Sequence, residues 1–107
     1  MSRCRICHPA CRLNYEQEGF RPAIILADTK SSVVIIIPCT SNIQALRFPY
    51  TLRLLRTREN GLDADSIVLV LQLRAIDKRR LVQKIGRLGE SDSNEIDKML
   101  ARLIFDR

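Results

Sequence analysis

The stretch "VVIIIPCT", residues 33–40, constrains the fold more than any other part of the chain. Its five consecutive β-branched residues, Val33 to Ile37, are stiff at χ1 and crowd the preceding turn of a helix, yet they pack well on a pleated sheet. The run is apolar at every position rather than every second one, which predicts a strand buried on both faces. Pro38 lacks a backbone N–H and predicts an end or a bulge at that point. A chain of 107 residues built around such a strand is long enough to bury a core as one domain, 1–107, without staples.

The other segments extend the β pattern. "RPAIILAD" (21–28) is an apolar run opened by Pro22 and closed by Asp28, and "TKSS" is a turn. "FPYTLRLL" alternates Tyr50, Leu52 and Leu54 with Thr51 and Arg53, a half-buried strand with one wet basic face. Asn60-Gly61 is the strongest turn signal, and "SIVLVLQLRAI" (66–76) reads as one further buried strand. Helix enters late. "IDKRRLVQKIGRL" predicts one or two turns capped by Asp77 and ending before Gly86. Asp92 and Glu95 make a capping box, after which Ile96, Met99, Leu100, Leu103 and Ile104 recur at helical spacing as a core-facing stripe. The expectation is a mainly β fold with α: a small antiparallel barrel of five or six strands, with a short helix and a closing C-terminal helix.

Composition narrows the function. Formal net charge is +6, so a polyanion or an acidic protein is the expected partner. There is no Trp and only 5% aromatic content, which argues against a base-stacking platform. No apolar run approaches the roughly 18 residues that span a bilayer. The first 20 residues mix polar, basic and cysteine positions without a secretory apolar stretch, so no membrane and a cytoplasmic location with free thiols are expected.

"SRCRICHPAC" (2–11) places Cys4, Cys7, His8 and Cys11 within ten residues, and three readings compete. Cys4 and Ile6 alternate with Arg3, Arg5 and Cys7 as a period-two first strand would, within an atypical N-terminal segment 1–14. A zinc site could use Cys4, Cys7 and Cys11, with Cys39 supplying a fourth thiolate, but Cys7 and His8 are adjacent and cannot converge easily. C-x-x-C-H as a haem attachment motif requires export, which nothing in the sequence directs. The strand reading is preferred, with no metal and no cofactor. No Asp/Glu/His cluster suited to a metal clamp is evident either.

Four blocks then become recognisable together: "EQEGFRPAII" (16–25), "IIPCTSNI" (36–43), "GLDADSIVLVLQLRAIDKRRL" (61–81) and "IGRLGESDSNEIDKML" (85–100). In this order the chain resembles the MazF/PemK-type toxins of toxin–antitoxin systems over roughly residues 15 to 105. The resemblance implies an SH3-like barrel that forms a homodimer. It implies a metal-independent endoribonuclease that cuts single-stranded RNA at short sequences and is restrained by an acidic antitoxin.

Cleavage through the RNA's own 2′-hydroxyl needs a proton acceptor, charge stabilisation at phosphorus and a proton for the leaving oxygen. Arg21 is a planar, permanently charged fork suited to phosphate oxygens, and its place before Pro22 keeps its backbone extended. Its guanidinium cannot act as a base, so its defensible roles are stabilising the transition state and donating a proton. Thr40 and Ser41 follow a strand end where hydroxyls and loop amides can meet a phosphate, although such side chains also cap turns. Glu16 is a candidate for proton transfer or for holding Arg21, and Thr40 and Glu16 join Arg21 as the catalytic candidates. Ser41, Asn42, Gln17, Gln72 and Arg74 are the RNA-binding candidates. Gln72 and Arg74, two apart on the expected strand, would share a face. The competing function is a non-catalytic family member that acts by gripping a protein, as the related gyrase-poisoning toxins do, or that merely binds its antitoxin.

Overall fold

The computed structural model describes residues 7–15 and 19–105. Seven strands and one helix follow in the order β1 (Pro9–Tyr15), β2 (Gly19–Asp28), β3 (Val33–Thr40), β4 (Thr51–Leu54), β5 (Ser66–Leu69), β6 (Arg74–Asp77), β7 (Leu81–Arg87) and α1 (Glu90–Phe105). Short 3₁₀ turns occupy Ile43–Arg47, Val70–Gln72 and Lys78–Arg80. Every strand pair is antiparallel, along the path β4-β5-β3-β2-β1-β7, with β6 also pairing β3. Among the described residues no pairing joins β4 to β7, so the sheet is an open, barrel-like system. Also among them, no helix is long and apolar enough to cross a membrane.

β3 is central because its β-branched run can be covered on both faces. Ile37 and Cys39 join Ala10, Ile24, Leu54, Leu62, Val68, Val70, Leu88 and Ile96 in the larger core. Val34 and Ile36 join Leu13 and Ala23 in a second core on the opposite face. One edge of β3 pairs β2; the other pairs β6 along Val33–Ile36 and then β5 along Cys39–Thr40. Pro38 falls between those two partners, where its missing N–H breaks no ladder, and the strand continues to Thr40 instead of ending.

Three expectations are corrected. Residues 66–76 are not one strand, because the 3₁₀ turn Val70–Gln72 separates β5 from β6. Val70 N–H donates to Tyr50 O at 3.0 Å, and the chain passes from β4 to the far half of β3. A uniformly apolar run carries no mark of such a bend when both halves remain packed. Nor does "IDKRRLVQKIGRL" form a helix. Asp77 does cap, accepting from Arg79 N–H at 2.8 Å, but it caps a 3₁₀ turn that leads into β7. Among the described residues the strands therefore number seven, against the five or six expected. The expected alternation of Cys4 and Ile6 lies outside the described residues, and the described first strand runs from Pro9 to Tyr15. It pairs β2 from Ala10↔Ile24 to Tyr15↔Gly19. Finally, α1 begins at Glu90, with Ser93 N–H donating to Gly89 O at 3.0 Å, so Asp92 lies in the first turn rather than at its cap. The helix buries Ile96 and packs Met99, Leu100 and Leu103 on the larger core, while Ile104 is 59% exposed and off that face.

Candidate active site

The β2–β3 ladder pairs Ile25 with Ile36, Ile24 with Ile37 and Ala23 with Pro38. Continuing that register by two residues sets Arg21 opposite Thr40 on one face, at the ends of their strands. The neighbouring row, on the other face, contains Arg12, Pro22 and Cys39, since Arg12 pairs with Pro22. A cavity of about 320 Å³ opens at this strand end, lined by Arg12, Arg21, Pro22, Cys39, Thr40, Ser41, Leu62, Asp63, Ala64, Ser66 and Ile85. Thr40 Oγ1 accepts the N–H of Asn42 at 3.1 Å, which leaves the hydroxyl proton able to donate to a ligand.

The wall carrying Asp63 is built by Asn60. Its side chain is buried; Oδ1 accepts from Thr57 N and Leu62 N, each at 3.0 Å, and Nδ2 donates to Leu55 O at 3.0 Å. Gly61 has φ of +70°, and a Cβ there would strike the Ile85 carbonyl, so the turn needs glycine for both reasons. The loop thereby lies against β7 and brings Asp63 to Arg12, with Oδ2 3.5 Å from Nη2. Asp63 is the carboxylate residue of the cavity lining. Cys39 also lines the cavity, but burial pushes its thiol up to about 12, so it stays protonated near neutrality and is unsuited to nucleophilic attack.

Three of the sequence candidates, Arg21, Thr40 and Ser41, thus meet at one cavity. Asn42 does not line it; its Oδ1 accepts Gln44 N–H at 3.0 Å and caps the 3₁₀ turn Ile43–Arg47. Gln72 and Arg74 do not share a strand face. Gln72 ends a 3₁₀ turn and borders a separate apolar depression with Phe48, Tyr50 and Leu71, whereas Arg74 opens β6 opposite Ile36. Glu16 and Gln17 lie outside the described residues. Arg12 and Asp63 were not among the sequence candidates. The available signal was an arginine set between the buried Cys11 and Leu13 of β1.

The opening motif is partly engaged in the fold. His8 is buried, its Nε2 is 2.8 Å from Asp97 Oδ1, its N–H donates to Ser93 Oγ at 3.1 Å, and its carbonyl accepts Leu88 N–H at 2.9 Å. Cys7, Cys11 and Cys39 are free thiols. Among the described residues no group of three or more His, Cys, Asp or Glu side chains could hold a metal ion; Cys4 lies outside them.

A small antiparallel fold that gathers guanidinium groups and hydroxyls into one cleft defines a protein able to hold a phosphodiester. Comparison with known proteins makes the class specific. Residues 6–104 match the PemK-like, MazF-like toxin of type II toxin–antitoxin systems. The endoribonuclease MazF of Staphylococcus epidermidis is 34% identical over 89 residues, covering 79% of this chain and 73% of that protein. Among solved structures, a mycobacterial endoribonuclease in complex with its cognate antitoxin superposes with a TM-score of 0.68 at 15% identity. That match covers 96% of this chain and 95% of the other. The chain belongs to the PemK-like, MazF-like toxin family.

Proposed function

We propose that the protein is the toxin of a type II toxin–antitoxin pair and an endoribonuclease that cleaves single-stranded RNA at short sequences without a metal ion. The observation that carries this reading is the juxtaposition of Arg21 and Thr40 at adjacent strand ends on the wall of one cavity. The relative from Staphylococcus epidermidis, named an endoribonuclease, supports it.

In the proposed reaction the 2′-oxygen attacks phosphorus and the bond to the 5′-oxygen breaks, leaving a 2′,3′-cyclic phosphate and a 5′-hydroxyl. One proton leaves the 2′-hydroxyl and one reaches the departing oxygen. Arg21 offsets the charge that builds on the phosphoryl oxygens, and the Thr40 hydroxyl donates a hydrogen bond to them. Ser41, next along the same cavity wall, is a further donor. Glu16 is assigned to accept the proton or to hold Arg21. Gln17 is assigned to RNA contact beside it. Asn42, Gln72 and Arg74 take no part in the chemical step and would meet RNA only beyond the cleft.

The partners in this reading are single-stranded RNA, a second copy of the chain and an acidic antitoxin. The solved mycobacterial complex is the precedent for an antitoxin. The proposed location is the cytoplasm. The test is incubation of a long single-stranded RNA with the purified protein in EDTA, followed by mapping of fragment ends. Cleavage at a recurring short sequence, with 5′-hydroxyl ends, is expected. Intact RNA would refute the enzyme and favour the protein-binding alternative.

A further inference from the structure

The proposed chemistry uses Arg21 and Thr40 and leaves Arg12 unexplained. Arg12 lies in the middle of β1, between Cys11 and Leu13, which are 4% and 2% exposed, and it pairs with Pro22 on one side and Gln83 on the other. A guanidinium placed there loses hydration and needs acceptors in return. Among the described residues its Nε is buried without a hydrogen-bond partner, and its Nη2 has Asp63 Oδ2 at 3.5 Å, the outer limit of a hydrogen bond. The Asp63 side chain is 81% exposed, so this pair contributes little to stability. Arg12, whose side chain keeps 32% exposure, is therefore incompletely satisfied by the fold and stands on the wall of the cavity.

We infer that Arg12 is a second phosphate subsite: it binds a phosphate adjoining the scissile one, and Asp63 is its resting counter-ion, displaced when the RNA strand enters. The inference rests on the endoribonuclease reading. Its geometric basis is that Arg12 stands in the row of Pro22 and Cys39, while Arg21 stands in the row of Thr40, on the opposite side of the strand ends. The two guanidinium groups thus reach the one cavity from different rows, an arrangement suited to successive phosphates of a strand passing round the strand ends. Arg12 then governs binding, and Arg21 governs the chemical step. Asp63, as a competing anion, weakens RNA binding in the parent protein.

The test uses a single-stranded 2′-O-methyl oligonucleotide spanning a cleavage site mapped with the parent. It lacks the nucleophile and reports binding alone. Arg12→Ala should bind about tenfold more weakly, the scale of a charge-assisted hydrogen bond, and its log affinity against log salt should flatten by about 0.7. On cleavable RNA, KM should rise correspondingly with kcat unchanged. Arg12→Lys should recover part of the affinity by restoring the charge. Asp63→Asn should bind several-fold more tightly, and that gain should vanish when combined with Arg12→Ala. Because Asp63 is exposed, Asp63→Asn remains informative even where Arg12→Ala disturbs β1. Unchanged affinity in Asp63→Asn overturns the inference, as does a gain that persists without Arg12. Loss of kcat in Asp63→Asn also overturns it, by making Asp63 a proton acceptor. A parent that leaves RNA intact overturns the ribonuclease reading and this inference together. A parent that cleaves, beside an Arg12→Ala variant of parental affinity and salt slope, overturns this inference alone.

Discussion

A guanidinium brings a full charge to a developing phosphorane, whereas a hydroxyl brings one neutral hydrogen bond, and the two should differ accordingly. Arg21→Ala should lower kcat by roughly 100- to 1,000-fold, the scale of one preorganised electrostatic donor, with little change in melting temperature. Thr40→Ala should lose less, and Thr40→Ser should retain most activity because it keeps the hydroxyl that accepts from Asn42 N–H. Cleavage rates and melting temperatures of the three variants on one RNA provide the measurement; full activity in folded Arg21→Ala would remove the catalytic assignment. At this scale Arg21, Thr40 and Ser41 were legible in the sequence, because they lie in short motifs at strand ends. Arg12 and Asp63, 51 positions apart, were not. Their approach depends on Asn60 and Gly61 folding the loop back against Ile85, a contact with no local signature.

At the scale of elements, the segment after Asp77 shows why periodicity alone can mislead. Leu81 and Ile85, four apart, satisfy one face of a helix, yet in β7 they pack on opposite cores, Ile85 on the larger and Leu81 on the second, because the ladder to β1 shifts register twice. The free edge of β1 decides in favour of the strand by offering a ladder to β7. The same long-range dependence holds α1 in place. Ser93 is buried, and its Oγ accepts the His8 N–H at 3.1 Å, so the helix is tied to the segment that enters β1. Ser93→Ala would leave that buried N–H unpaired and should cost about 1–3 kcal/mol. The expected fall in melting temperature is roughly 5–15 °C for a domain of this size. Thermal unfolding of the variant tests this, and an unchanged midpoint would show that helix docking does not depend on the bond.

At the scale of the whole molecule, β4 is one of the two ends of the sheet path, and beside it lies an apolar depression bounded by Phe48, Tyr50, Leu69 and Leu71. Phe48 is 61% and Leu71 49% exposed. Tyr50 has φ of +58°, a strained conformation for a bulky residue. An open strand edge next to exposed aromatic and aliphatic side chains is the surface that the proposed second copy would cover. Sedimentation at micromolar concentration should give a dimer, and Phe48→Glu should shift it towards monomer by burying a charge at the contact. A parent that is monomeric under these conditions would refute the assembly.

By itself the sequence determined the β-rich class, the central strand through Val33–Ile37, the amphipathic C-terminal helix and the family motifs that contain Arg21 and Thr40. These are properties of short segments: χ1 stiffness, apolar period and turn chemistry act over a few residues and can be read there. Only the tertiary structure decided that Pro38 lies between two strand partners, that residues 66–76 bend into β5 and β6, and that β7 is a strand. It also decided that Arg12 and Asp63 stand at the same cavity as Arg21. Each of these is settled by which distant backbone supplies a hydrogen-bonding edge or a packing surface, and the free energy of that choice belongs to the pair of segments rather than to either one.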